Sequence, residues 1–338
     1  MKKYVILLIF NLIMCNCLNA QTQFKIQPTN GPYGGYIRSF CSDTNTKDLY
    51  INADHIYKLN KTTNEWEKHF TELDSLDNYF FNLIYADSIY FMRYIIGESD
   101  MIWGEGLFKS KDKGKSWKEV DNSNFDIWDI ISTKSKYIFG TGGFGGTVYR
   151  STDYGETWEE CINGIDSIDL DYEGFDQLEK ITVGDTDYIF LRGWENGIYL
   201  STNYGDSWEK ISDSLPKSQY SSLTNFTAMT TTTDNKLFVA SDAGIFRSTD
   251  FGESWLKLTD GIQSLYSYGM YFMNSDSYGN VYTGGYSRGL YLLKQNDTTW
   301  KSINIGLVPI STNDFFIDVT QNGFYAATDC GVYKTTNN

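Results

Sequence analysis

Apolar and polar residues follow one another in short extended runs rather than at helical spacing. In Ile198-Tyr199-Leu200 large side chains fall on both faces of the run, as a strand packed on two sides requires. Runs of this kind come four to a unit. One unit predicts strands over Phe226–Thr232, Lys236–Ala240, Gly244–Ser248 and Ser254–Thr259. The next predicts Met270–Ser275, Asn280–Gly284, Gly289–Leu293 and Thr299–Ile303. Glycines and polar clusters between the runs mark tight turns. No segment shows a helical period, so the pattern predicts an all-β chain.

One stretch, the third strand of a unit with its turn and the start of the fourth, recurs along the sequence. Gly106 to Lys118 reads GLFKSKDKGKSWK and Thr147 to Glu159 reads TVYRSTDYGETWE. Gly197 to Glu209 reads GIYLSTNYGDSWE and Gly244 to Leu256 reads GIFRSTDFGESWL. Worn copies run from His55 to Glu67 and from Gly289 to Lys301, and a last one opens at Gly331. The repeat tryptophans Trp66, Trp117, Trp158, Trp208, Trp255 and Trp300 are 51, 41, 50, 47 and 45 residues apart. A period near that length, with several strands per unit, is the signature of propeller blades.

The letters of the repeat have physical jobs. Asp112, Asp153, Asn203 and Asp250 can fold back and accept N–H groups in the turn. Gly114, Gly155, Gly205 and Gly252 suit a position of positive φ. Trp117, Trp158, Trp208 and Trp255 open the outer strand and bury a large ring. The worn copies lose the acid and the glycine together, as expected if the two make one turn. Seven copies of the third strand predict a seven-bladed β-propeller of four-stranded blades. The seventh lacks an outer strand of its own. Thr22-Gln23-Phe24-Lys25-Ile26 resembles the outer strand around Trp255, with Phe24 in the tryptophan place, so the N-terminal strand is expected to close the ring.

The pattern Ser-x-Asp-x-Gly-x-Ser/Thr-Trp resembles the Asp-box, or BNR, repeat. That repeat occurs in sialidases, xyloglucan-active glycosidases, sortilin-type receptors and photosystem II assembly factors, all of them propellers. The resemblance implies the fold but spans unrelated activities, so function has to be argued from the site.

Composition places the chain in a compartment. Residues 1–20 read as a signal peptide: Lys2 and Lys3, an apolar stretch from Tyr4 to Met14, and a small residue at Ala20 before Gln21. A lipoprotein anchored through Cys15 is the competing reading, with bulky Met14 against it. Residues 21–338 are then one exported domain, secreted, periplasmic or at the cell surface, with no membrane span and expected as a monomer. The net charge is −15 and becomes −17 without residues 1–20, which disfavours nucleic acid as a partner. Cys41, Cys161 and Cys330 make no disulfide framework or zinc site; three buried thiols are expected, with a Cys41–Cys330 bridge as the alternative. No metal and no cofactor are predicted.

The loops joining second to third strands, and blade to blade, share the face opposite the Asp boxes. Trp103, Glu105, Trp194 and Glu195 are expected in such loops of blades 2 and 4, Phe144 in that of blade 3, and Tyr286 in that of blade 6. Flat rings beside carboxylates suit a glycan or an extracytoplasmic protein, although the same rings also serve to plug loops against each other. Asp166, Asp169, Asp171, Glu173 and Asp176 form an acidic connection read as a solvated loop. The sialidase alternative needs an arginine cluster and positioned carboxyl groups. Its candidates are Arg38, Arg192 and Arg288, although Tyr36-Ile37-Arg38-Ser39-Phe40 departs from the family's Phe-Arg-Ile-Pro motif. The sequence therefore favours a non-catalytic binding propeller. A sialidase-like glycoside hydrolase is the alternative, and an assembly or surface scaffold the third reading.

Overall fold

A computed structural model describes residues 25–29, 31, 37–53, 55–70, 79–98, 101–120, 127–142, 147–166, 174–217, 224–262, 270–285, 289–303, 312–318, 323–328 and 331–336. The expected signal peptide with Cys15, and Phe24, Phe144, Tyr286, Arg288 and Cys330, lie outside the described residues. So do Asp169, Asp171 and Glu173.

Among the described residues the strands form seven four-stranded antiparallel sheets. Their innermost strands start at Ser39, Tyr79, Ile127, Phe175, Phe226, Phe272 and Thr312, and each contacts the next in a closed cycle. The chain is thus an all-β propeller, and its sheets are blades 1 to 7, with strands a to d from the axis outward. Each of the seven seams between blades holds its own hydrophobic cluster, from Tyr50, Phe70 and Leu83 between blades 1 and 2 to Trp66, Tyr325 and Ile51 between blades 7 and 1. This explains why the strands carry large side chains on both faces: every sheet is sandwiched between two others.

The N-terminal strand Lys25–Pro28 pairs antiparallel with Gly331–Thr336 and completes blade 7. Its register corrects the expected alignment. Ile26 lies opposite Thr335, as Trp66 lies opposite Leu59 in blade 1, so Ile26 and not Phe24 holds the tryptophan position. Thr29 then donates its backbone N–H to Val332 O at 2.9 Å, as Leu258 does to Ile245 O in blade 5. The d strands of blades 5 and 6, Leu256–Lys257 and Lys301–Ser302, are shorter than predicted. They pair on one side only, which leaves little to extend them.

The four intact Asp boxes join strands c and d with one hydrogen-bond scheme. In blade 3, Asp153 Oδ1 accepts the Glu156 and Thr157 N–H groups at 3.0 and 2.9 Å, while Ser151 Oγ accepts the Gly155 N–H at 2.8 Å. Gly155 has φ 71° and Tyr154 before it 63°, two consecutive left-handed residues. Neighbouring boxes are clamped together as well. Lys109 Nζ in blade 2 donates to Gly155 O at 2.7 Å, and Arg150 in blade 3 to Tyr204 O at 2.7 Å. The tryptophans cross the seams too: the Trp208 indole N–H donates to Cys161 O, and that of Trp300 to Leu258 O, both at 2.8 Å. Cys41 and Cys161 are free buried thiols, so the alternative of a Cys41 bridge is not formed. Burial pushes the Cys161 thiol up to about 12.

Candidate functional site

The a strands open at the face that carries the b–c and d–a loops. In blades 2, 3, 4, 5 and 7 a register shift falls within the first three residues of the strand, after Phe80, Ile127, Phe175, Phe226 and Thr312. Such bulges re-aim side chains. In blades 3, 4 and 7 the residue that follows then stitches one blade to the next. Asp129 Oδ2 accepts the Leu178 N–H at 2.8 Å, Gln177 Oε1 the Met229 N–H at 3.0 Å, and Asp314 Oδ2 the Phe40 N–H at 2.7 Å. These are inner-edge N–H groups that no fifth strand could satisfy.

Carboxyl groups near this axis are poorly solvated. Burial pushes Asp129 up to about 6, with the Asp176 charge adding to it and the Leu178 and Ile130 N–H groups opposing. Burial pushes Glu179 up to about 8, against a hydrogen bond from Thr231. Thr231 Oγ1 lies 3.0 Å from both Glu179 Oε2 and Lys180 O. The single Thr231 hydroxyl hydrogen is shared between these two acceptors.

Arg192, on strand b of blade 4, is buried at this end of the ring and engaged at all three nitrogens. Nε donates to Gln177 Oε1 at 3.0 Å, Nη2 to Asp176 Oδ2 at 2.8 Å, and Nη1 to Phe226 O. Asp176 is therefore no solvated loop acid, as the sequence reading had it; it sits on the strand Phe175–Val183 in an ion pair. Arg93 lies over the Trp128 ring at 5.3 Å. Arg38 is exposed, on the short approach to strand a of blade 1.

Trp194 and Glu195 occupy the b–c turn of blade 4, as expected. The Trp194 ring stacks on Tyr271 with centroids 6.3 Å apart and planes at 25°. Its carbonyl accepts the Phe226 N–H at 2.7 Å. Glu195 stands exposed at a cleft of about 370 Å³ lined also by Lys210, Ser212, Lys217, Thr224 and Phe226. The cleft lies where the 3₁₀ turn Ser212–Ser214 and the start of blade 5 meet the b–c turn. Trp103 and Glu105 are not in a loop. They fall within the strand Met101–Ser110, because b and c of blade 2 continue pairing to Glu98 opposite Met101. Apolar Ile95, Ile96 and Ile102 favour that extension over a turn.

Sequence reasoning missed the stitches at Asp129, Gln177 and Asp314 and the lysines of the cleft. The stitches leave a signal, an acid or amide before an apolar residue, in Asn82-Leu83, Asp129-Ile130, Gln177-Leu178 and Asp314-Phe315. It becomes visible only once the blades are aligned. Among the described residues no group of three or more His, Cys, Asp or Glu is arranged to hold a metal, and no helix is long and apolar enough to cross a membrane.

The comparisons agree with this architecture. Residues 149–160 match the BNR/Asp-box repeat. No curated protein sequence matches the chain. Among solved structures, YCF48 bound to D1 peptide superposes with TM-score 0.65 at 15% identity, over 94% of this chain and 97% of that one. A catalytically inactive virginiamycin B lyase from Staphylococcus aureus with quinupristin gives 0.67 at 14% identity, over 93% and 99%. The extracellular domain of the hybrid two component system BT3049 from B. thetaiotaomicron gives 0.65 at 12% identity, over 93% of this chain and 42% of that one. The fold and the repeat together define the class, a β-propeller. More narrowly, the chain is a propeller built from BNR/Asp-box repeats.

Proposed function

We propose that this propeller is an exported, non-catalytic binding module that takes a polypeptide segment of a protein partner on its b–c and d–a loop face. The observation that carries this reading is the cleft beside Trp194. It offers ammonium groups from Lys210 and Lys217, carboxylates from Glu195 and Asp213, and an apolar wall of Leu215 and Phe226. Groups of both signs around an apolar wall suit a peptide, whose side chains and amides present the same mixture. YCF48, a propeller of the same architecture, is known with a peptide bound. A glycan is the second reading, favoured by the Trp194 and Tyr271 rings; but these rings stack on each other, which covers part of the faces a sugar would use.

The hydrolase alternative draws less support. Each guanidinium nitrogen of Arg192 already donates to the protein itself, and the side chain is buried.

The test is a peptide array and a glycan array read with residues 21–338 and with a Glu195→Ala/Lys217→Ala variant. Both substituted side chains are exposed, so folding is unaffected. Peptide signals that weaken about tenfold in the variant support the proposal. Signals on glycans alone, or turnover of fluorogenic sialosides, would replace it with one of the alternatives.

A further inference from the structure

The Asp boxes are alike in backbone and unlike in charge. From Gly106 to Lys118 the blade 2 hairpin carries Lys109, Lys111, Lys113, Lys115 and Lys118 against Asp112 alone. The corresponding stretch of blade 3 carries Arg150 against Asp153, Glu156 and Glu159, and that of blade 4 carries Asp206 and Glu209 with no base. A chain of net charge −15 thus concentrates positive charge on one hairpin.

Part of that charge is neutralised and part is not. Glu156 of blade 3 accepts Lys109 at 2.8 Å, Lys111 at 2.7 Å and Lys118 at 3.2 Å. Its carboxyl is spent on these three. Lys113 and Lys115 are exposed at the tip, and no ion pair reaches either among the described residues. On the blade 3 side of this hairpin, next to Lys111, Tyr154 leaves 40% of its surface open, with the Lys111 and Lys136 ammonium groups 5.9 and 5.7 Å from its ring centre. The patch is an aromatic ring among cations, on the Asp-box side and so away from the Trp194 cleft.

We propose that the blade 2 hairpin and Tyr154 form a second docking surface, for an anionic polysaccharide that carries one carboxylate per sugar, a polyuronate. The charge balance favours this occupant. A membrane or a nucleic acid is densely anionic and would also meet the acidic hairpins of blades 3 and 4, whose repulsion acts over about 8 Å at physiological salt. A thin chain of low charge density can lie on the lysines and avoid the acids. The open ring of Tyr154 offers an apolar face to a sugar, and the ammonium groups meet its carboxylates.

The test is affinity electrophoresis of the folded protein in polygalacturonate. Its fully methyl-esterified form serves as the neutral control, and heparin and phosphatidylglycerol vesicles as denser anions. Retardation by polygalacturonate, weakened by added salt and absent with the ester, is expected. Lys113→Glu/Lys115→Glu should reduce it by about tenfold or more. Tyr154→Asn, which keeps a residue tolerant of positive φ, should reduce it by about threefold. Equal retardation by the ester, no effect of the charge reversal, or no retardation at low salt would overturn the proposal. Stronger binding of heparin or vesicles with the same lysine dependence would overturn the choice of a uronate. None of these outcomes bears on the peptide cleft, whose own variant lies on another face.

Discussion

The acids of the rim and the acids of the axis are the same two residue types in opposite circumstances. At the rim Asp153 is held near 2: its desolvation cost is outweighed by the Thr157 hydroxyl and N–H, by Ser151 and by the Glu156 N–H together. Glu156 is also held near 2, by Lys109, Lys111 and Lys118. At the axis Asp129 is raised to about 6 and Glu179 to about 8, in both cases mainly by burial. Donors to satisfy the ionised form are plentiful in a hairpin and scarce along an inner strand edge. The difference shows that the repeat motif marks the places where charge stabilises the fold. Along the inner strands, by contrast, charge is costly.

The comparison can be broken first by removing neither set of acids. Trp300 is 2% exposed and donates its indole N–H to the neighbouring blade. Trp300→Ala is expected to cost about 3–5 kcal/mol in urea unfolding followed by circular dichroism. A cost near that of an acid substitution would mean that packing at the seams does not dominate. Glu179→Gln comes next. A carboxyl whose pKa is raised on folding favours the folded state below its unfolded value of 4.5, and this contribution is lost as pH rises through about 8. The variant should therefore gain on the order of 1–3 kcal/mol over wild type at pH 8 and nothing at pH 4. A thermal melt series that stays parallel for the two proteins would remove Glu179 from the axis account.

The rim acids should behave with the reverse sign. Asp153 is depressed below its ordinary 3.8, so its contribution is present above about pH 4 and lost as pH falls through about 2. Asp153→Ala is expected to cost about 1 kcal/mol at pH 7. Asp153→Asn should cost less, since Asn203 already accepts the Ser207 N–H at 3.0 Å in the same place. Equal losses for the two substitutions would show that the charge, not the acceptor, holds the turn. Smallest of all, Lys113→Glu/Lys115→Glu should change the unfolding free energy by less than about 0.5 kcal/mol, because both side chains are exposed and no ion pair reaches either among the described residues.

Much of the ring was legible because each blade repeats one local chemistry. The strand Gly244–Ser248 is where alternation and its turn put it, and each predicted Asp-box turn has the expected acceptor and the expected positive φ. Closure by the N-terminal strand was legible too, but its register was not. Phe24 and Ile26 are two residues apart, so they share a strand phase, and period-two alternation cannot tell them apart. Trp194 and Glu195 were found because a glycine-flanked turn fixes them locally. Lys210, Lys217 and Thr224 join them only through the return of the chain into blade 5. Asp129 and Gln177 looked like solvent-facing polar positions. Their role depends on a neighbouring strand edge about fifty residues away, 49 and 52 by the hydrogen bonds they accept.

The pairing of Lys25–Pro28 with Gly331–Thr336 also constrains the order in which the molecule can assemble. Thr29 meets Val332 across 303 residues of chain, so blade 7 cannot finish until both halves have been made and brought together. Loop closure over such a length costs only a few kcal/mol, since the cost grows with the logarithm of length, but contacts this distant form late. The six other blades are each built from one continuous stretch and can form as the chain emerges. Ring closure is then expected to be the final event of folding. A chain whose first strand is delayed or occupied would present the unpaired edge of Gly331–Thr336 to any extended segment that reached it first.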